Sequence, residues 1–330
     1  MTAPDLPAEL KAALETRLHG LSRNDAAERS ATISQTYRDG GGSAAIRTEA
    51  DALAYALARM PATYAAVIAS LNALQEVRPS FEPQSLLDIG AGPGTATWAA
   101  AEALSSLRSF TLLDANTALR TLALDLARGG HRLSAMHYDH GDAGARLADA
   151  PAADLVVASY MINELADTSR AALADLMWAK TLDTLLVVEP GTPAGTQRIL
   201  ELRRRLIAQG AHVIAPCPHD AECPLAAPDW CHFTQRLPRS RAHKQLKAAE
   251  LPYEDEKFIY VALSRTPSAL RPARVLAQPE LSKIAIAAKL CTSHGIERVI
   301  APRRDKTAYA RFRKLNWGGA IFETARPPAE

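Results

Sequence analysis

Leu86-Leu87-Asp88-Ile89-Gly90-Ala91-Gly92-Pro93-Gly94-Thr95 sets a short apolar run with an internal acid before three glycines at alternate positions. That order predicts a buried strand, a tight turn and the start of a helix near Thr95. Glycine lacks a Cβ, so the backbone can turn sharply and a ligand can lie against it. The unpaired N–H groups of the new helix would face whatever sits over the turn. The stretch therefore predicts a nucleotide-type site.

Downstream the pattern alternates. Strands are expected at Phe110 to Leu113, Leu133 to Tyr138, Asp154 to Ser159 and Thr184 to Val188, with helices at Thr95 to Leu107, Thr117 to Arg128, Ser169 to Lys180 and Ala194 to Gln209. Such units imply a parallel sheet with helices on both faces, with ligands beyond the carboxyl ends of its strands. Asp114 follows Gly94 by 20 residues and closes the next strand, where a carboxylate can hold a ribose. The glycine spacing is G-x-G-x-G, which departs from the dinucleotide G-x-G-x-x-G.

Together with Asp88 and Asp139, this constellation resembles the class I S-adenosylmethionine-dependent methyltransferases over residues 80 to 192 and 256 to 265. The resemblance implies an α/β, Rossmann-like sheet, with cofactor contacts from Asp88, Gly90, Gly92, Gly94, Asp114, Asp139 and Asn163. In the loop Ser159-Tyr160-Met161-Ile162-Asn163-Glu164-Leu165, Asn163 and Glu164 read equally as ligand contacts or helix caps. No N-P-P-Y type sequence identifies an acceptor, and no general base stands out.

Before the sheet, residues 1 to 80 read as a helical cap, with Pro61 ending or kinking a helix opened at Thr48. Composition is that of an ordinary globular chain, with 48% hydrophobic and 22% charged residues. No apolar run approaches the roughly 18 residues of a membrane span, so no membrane partner is expected. Asp5, Glu9 and Glu15 near the start make no recognisable leader, and a cytoplasmic protein, monomeric when free, is the expectation. Residues 1 to 190 hold 15 basic and 23 acidic side chains, net −8, whereas residues 191 to 330 hold 23 and 13, net +10. A basic C-terminal part suits a polyanionic partner, or simply a solubilising surface.

That basic part contains all four cysteines, Cys217, Cys223, Cys231 and Cys291. Three fall within a Pro-rich stretch of 15 residues, which points to metal ligation more than disulfides. Thiolates suit an iron-sulfur cluster and zinc alike. Zinc favours closer C-x2-4-C pairs than C-x5-C-x7-C, so the spacing leans towards a cluster and leaves zinc as the alternative.

Around these cysteines, Trp230-Cys231-His232-Phe233, Arg239-Ser240-Arg241-Ala242-His243-Lys244 and Tyr253-Glu254-Asp255-Glu256-Lys257-Phe258-Ile259-Tyr260 make the resemblance more specific. With Lys289-Leu290-Cys291-Thr292 they are similar to the methyltransferase-like proteins of mitochondrial small-ribosomal-subunit assembly and their bacterial relatives. This implies a [4Fe-4S] cluster on Cys217, Cys223, Cys231 and Cys291. It also implies binding to the small subunit or its precursor and to 16S-type rRNA. Candidate RNA contacts are Arg236, Arg239, Arg241, Lys244, Lys247, Arg303, Arg304, Arg311, Arg313 and Lys314. The expected division is a cap at 1–80, a methyltransferase-like domain at 81–265 with a cysteine-rich insertion at 211–256, and a basic β-rich region at 266–330. Function reads as a small-subunit-associated rRNA methyltransferase, or as a non-catalytic assembly factor with a structural or oxidation-sensing cluster.

Overall fold

The computed structural model describes residues 1–18, 22–38, 41–128, 132–240, 243–244, 247 and 249–322. Five parallel strands form the centre: β1 (Ser85–Ile89), β2 (Ser109–Asp114), β3 (His137–His140), β4 (Ala153–Ser159) and β5 (Thr181–Pro190). Then β6 (His212–Ala215) and β7 (Phe233–Pro238) each pair antiparallel with β8 (Tyr253–Ser264), which runs antiparallel to β5. The order β3-β2-β1-β4-β5-β8-β6, with β7 also on β8, is a class I methyltransferase sheet. Its middle strands are continuously apolar, as in Leu155, Val156, Val157 and Ala158 of β4, because both faces are covered. The third strand starts at His137, four residues later than the sequence suggests. Leu133 is buried in the preceding turn instead.

Helices α1 (Ala8–Leu18), α2 (Arg23–Arg38) and α3 (Glu49–Val77) precede the sheet. Thr48 caps α3 in a reciprocal box with Asp51. Contrary to expectation, Pro61 lies inside one continuous helix. Met60, Tyr64, Val67, Ile68, Leu71 and Leu74 are buried around it, so tertiary packing outweighs the lost backbone bond. The expectation of no span-length apolar segment is corrected as well: α3 is long and apolar enough. But 78% of its most apolar window is buried, the mark of a helix apolar all round because it is a core element. The cap and the sheet share one hydrophobic core.

Between the strands run α4 (Thr95–Ala103), α5 (Thr117–Ala127), α6 (Ala143–Arg146), α7 (Asp167–Lys180) and α8 (Pro193–Ile207). At the C-terminus, β9 (Ala273–Val275), β10 (Glu280–Leu281), β11 (Ala285–Thr292), β12 (Gly295–Pro302) and β13 (Ala320–Ile321) make a second, antiparallel sheet. Its small core of Val275, Ile286, Ala288, Leu290 and Ala301 is closed by Phe312 of α9 (Lys306–Phe312). The basic run after β12 is thus partly helical, with Asp305 capping it by accepting from the Ala308 N–H.

Arg78, just past α3, fastens the cap to the sheet. Its guanidinium bonds Asp183 at 2.5 and 3.0 Å, Thr184 at 2.9 Å and Ser264 at 3.1 Å. Burial pushes the Asp183 carboxyl up, but the bonds from Arg78, Thr184 and Ser264 outweigh it and hold the carboxyl below its ordinary range. Arg78→Ala should cost about 2–4 kcal/mol in urea unfolding at pH 7. A carboxyl lowered in the folded state stabilises above its ordinary pKa and ceases to as pH falls through the folded value. The difference between wild type and Arg78→Ala should therefore shrink below pH 4, and a pH-independent difference would contradict this.

Candidate functional site

The glycine turn closes β1 against β2. Gly90 and Ala91 donate to the Leu113 carbonyl at 2.8 and 3.1 Å. Gly90 has φ +66°, and a Cβ there would come within 2.6 Å of the Met161 Cβ, so the β4–α7 loop sits directly on the turn. This double demand requires glycine. Asp114, at the end of β2, braces the turn: its Oδ2 accepts from Gly92 at 2.9 Å and its Oδ1 from Asn116 at 2.7 Å. Burial pushes the Asp114 carboxyl above its ordinary range. The Tyr138 hydroxyl donates to the Gly92 carbonyl at 2.6 Å.

Above the turn opens a cavity reached by Gly90, Gly92 and Asp114. Of the other predicted contacts, Gly94 starts α4 in left-handed conformation, against Leu112. Asp88 is fully buried below the turn, where its Oδ2 accepts from the Thr97 N–H at 3.0 Å and hydroxyl at 2.7 Å. It scaffolds α4 and does not line the cavity. Asp139 pairs with Arg146 at 3.3 Å, and the cavity wall on that side is Asp142. Asn163 turns inward, its Oδ1 buried without a partner, while the adjacent Glu164 lines the cavity.

The cap supplies walls that sequence reasoning missed, Tyr37, Ser43 and Tyr55. Glu164 Oε2 accepts from Ser43 N at 3.0 Å and Oγ at 3.3 Å, and Asn116 Nδ2 donates to the Ser43 and Ile46 carbonyls at 3.1 and 2.9 Å. In sequence the one feature beside these walls is the glycine run Gly40-Gly41-Gly42 before Ser43, which by itself marks only a break between helices. Tyr160, from β4, is a non-glycine residue at φ 56°, and its hydroxyl donates to Glu256 at 2.9 Å. Arg59 of α3 pairs with the same Glu256 oxygen at 3.4 Å. Left-handed backbone at a non-glycine residue is uncommon and concentrates at functional sites.

Some distance along the sheet, Cys217, Cys223, Cys231 and Cys291 line one apolar cavity, with His219. The Cys291 Sγ lies 3.8 Å from His219 Nε2. Burial, then the neighbouring Cys217 and Cys223, push the Cys291 thiol up to about 12, and burial also raises Cys217 and Cys231. Two buried guanidiniums, Arg203 and Arg274, stand at the same cavity. Arg203 Nη2 bonds the His219 and Ala221 carbonyls at 2.7 and 2.8 Å, yet its Nε is buried without a partner. Four thiols beside two buried guanidiniums, of which Arg274 also has Glu76 at 3.7 Å, suit an anionic thiolate-bound group. Among the described residues, no group of three or more His, Cys, Asp or Glu side chains is already drawn together around a metal-sized position.

The candidate RNA contacts divide. Arg239 and Lys247 are spent on Glu254, at 3.2 and 2.7 Å, beside the buried His243. Arg236 chelates Asp255 with two 2.8 Å bonds and lies over the Tyr253 ring. Lys244 is half-buried, and Arg241 lies outside the described residues. Arg303, Arg304, Arg313 and Lys314 are exposed, as is Arg311, which donates to the Phe322 carbonyl at 2.8 Å.

A family model described as mitochondrial small ribosomal subunit Rsm22 matches residues 49–321. The chain is 29% identical over 307 residues to the human ribosome assembly protein METTL17, mitochondrial, covering 86% of this chain and 65% of that protein. It is 23% identical over 365 residues to the fission yeast Rsm22-cox11 tandem protein 2, mitochondrial, covering 93% and 48%. The chain thus spans about half to two thirds of these relatives. Among solved structures it is similar to magnesium protoporphyrin IX methyltransferase from Synechocystis with bound SAM (TM-score 0.40, 11% identity, 70% of this chain and 90% of that one). Another is the N-methyltransferase NodS from Bradyrhizobium japonicum with S-adenosyl-L-homocysteine (0.39, 12%, 58% and 83%). The cytoplasmic expectation is corrected by these relatives, which are described as mitochondrial; an unreadable leader did not determine the compartment.

Burial raises the Asp88 carboxyl to about 7 against its two bonds from Thr97. A carboxyl raised in the folded state binds its proton there after the unfolded chain has lost it, so it erodes stability as pH rises from about 4 to about 7. Asp88→Asn should flatten that slope in thermal unfolding while leaving cavity ligands bound within a few-fold. A loss of ligand binding with the fold intact would return Asp88 to the contact set.

Proposed function

The chain belongs to the mitochondrial small ribosomal subunit Rsm22 family, and from that premise we propose a small-subunit assembly protein that holds S-adenosylmethionine over Gly90 and Gly92 and engages rRNA through its basic C-terminal region. The observation that carries the proposal is the cavity itself, a glycine turn braced by Asp114 at the end of β2. There Asp114 would hold the ribose hydroxyls, and the N-terminus of α4 would face the carboxylate end. The bound cofactor supplies an electrophilic methyl group. The protein contributes alignment and exclusion of water, which is much of what such a transfer needs. Exposed Arg304, Arg313 and Lys314, with Arg303 whose Nη1 donates to the Lys283 carbonyl at 3.5 Å, would neutralise phosphates.

Methyl transfer to rRNA is the first reading of this pocket. One observation favours the second, a binding module without turnover: polar groups on the cap side are engaged internally, Tyr160 with Glu256 and Ser43 with Glu164. The two readings separate in cells. If the first holds, a methyl group on small-subunit rRNA disappears on deletion and returns with wild type but not with Asp114→Ala. Unchanged methylation with accumulated small-subunit precursors would establish the second.

We also propose that Cys217, Cys223, Cys231 and Cys291 hold a [4Fe-4S] cluster, supported by their shared cavity and the buried Arg203 and Arg274. Four thiolates would supply complete ligation, so the group's role is to join the Cys217–Cys231 loop to β11. Anaerobically purified protein should contain about four irons and four acid-labile sulfides per chain, with the visible absorption of a cluster lost in Cys231→Ser. Stoichiometric zinc without sulfide would overturn this.

A further inference from the structure

The cofactor cavity has a one-sided charge. Its ionisable carboxylates are Asp114, Asp142 and Glu164, its aromatic walls are Tyr37, Tyr55 and Tyr160, and no Lys, Arg or His lines it among the described residues. His140, in register with Asp114 and acting on its charge, bonds the Thr117 hydroxyl at 3.0 Å outside the cavity lining, and the other cations in adjoining elements are committed elsewhere. Arg59 pairs with Glu256 at 3.4 Å, Arg170 with Asp167 at 2.7 Å and Arg146 with Asp139 at 3.3 Å. The carboxylate field inside the cavity is therefore not neutralised by a described side chain of the wall. Cations gain from such a field and from the faces of tyrosine rings, whereas neutral groups do not.

Glu164 is the acid the fold places with most care. Gly42 has φ +55°, and a Cβ there would come within 2.5 Å of Glu164 Oε2, so the cap segment passes directly over this carboxylate. Tyr37 stacks on Tyr55 at 5.9 Å between ring centres, and the pair walls the same side. Glu164 as a whole residue is exposed, while desolvation of its carboxyl under the cap segment raises it above the ordinary range, partly offset by its bonds from Ser43. A positive ligand group beside it would favour the ionised form.

S-adenosylmethionine carries a sulfonium, an ammonium and a carboxylate, net +1. Its demethylated product keeps the ammonium and carboxylate, net 0. Contacts to the shared groups cancel in a comparison of the two, leaving the sulfonium charge. We propose that this cavity selects the charged sulfonium cofactor over its neutral thioether product, with Glu164 as the specificity-determining residue. The inference rests on the reading of the cavity as an S-adenosylmethionine site, and it adds a direction: the protein distinguishes loaded from spent cofactor by charge and lets the spent form go.

Titration calorimetry on the full chain tests this with S-adenosylmethionine, S-adenosylhomocysteine and sinefungin, whose ammonium replaces the sulfonium methyl. At low salt the two cationic ligands should bind about tenfold tighter than the thioether, the scale of one unit charge in a partly screened carboxylate field. The gap should narrow as salt rises. Glu164→Gln should close most of it by weakening the cationic ligands, while Ser43→Ala, which leaves the carboxylate, should keep it. Thioether binding by Glu164→Gln doubles as the check on its fold. Equal or tighter binding of the thioether to wild type overturns the selectivity while leaving the cofactor site standing, as does an unchanged gap in Glu164→Gln for the role of that residue. Binding of none of the three ligands removes the cofactor reading itself and the inference with it.

Discussion

A guanidinium buried to 1% exposure, that of Arg274, holds three parts of the molecule to one geometry. It reaches the Pro216 carbonyl before the first cysteine at 3.4 Å, the Gly318 carbonyl of the C-terminal sheet at 2.9 Å and Glu76 of α3 at 3.7 Å. A buried charge is costly unless each donor finds an acceptor. The three elements are thereby constrained to meet at one point, and Cys291, paired with Arg274 across β9 and β11, is delivered to the other cysteines. The cysteine cavity is thus a consequence of how the C-terminal sheet docks.

The same logic places the cap. An apolar α3 exposed to water would be costly per residue, so it sinks into the core and brings Tyr55 to the wall of the cavity over the glycine turn. Arg59 then finds Glu256 on β8, and Tyr160 shares that carboxylate from β4. A helix that looks like a passive lid in one dimension is a wall of the cavity in three.

How much of this was legible follows from the range of each signal. The strand, glycine turn and Asp114 are neighbours in sequence, and local chemistry fixes them. Pro61 misled because its cost is local while the packing that offsets it, from Tyr64 to Leu74, is tertiary. Asp88 read as a ligand contact because sequence cannot show which way a strand acid points; Thr97 takes it. Arg239 and Lys247 read as phosphate contacts because Glu254 lies beyond residues with no pairing signal. The cysteines were found by composition, and their common cavity was not predictable from spacings of five, seven and 59 intervening residues.

The two cavities share one helix. The Thr196 hydroxyl on the first turn of α8 donates to the Cys231 carbonyl at 2.7 Å, and Arg198, two residues on, bonds Glu189 at 2.8 Å. Glu189 is wholly buried at the end of β5; Arg198 holds its Oε2, its Oε1 has no hydrogen-bond partner, and the backbone of Ile162 and Asn163, in the loop that walls the glycine-turn cavity, favours its charge from nearby. Burial raises that carboxyl to about 7, against the pull of Arg198. Such a group keeps its place only while Arg198 remains aligned, since leaving a buried carboxylate unpaired costs several times what a surface pair contributes. The start of α8 therefore cannot shift to suit the cysteine loop without disturbing the loop that carries Tyr160 and Glu164. Spatial continuity of this kind is not by itself coupling. It does explain why a methyltransferase sheet and a cysteine-rich insertion are built as one body: the insertion is anchored on the helix that, through Arg198 and Glu189, also braces the strand end beside the glycine-turn cavity.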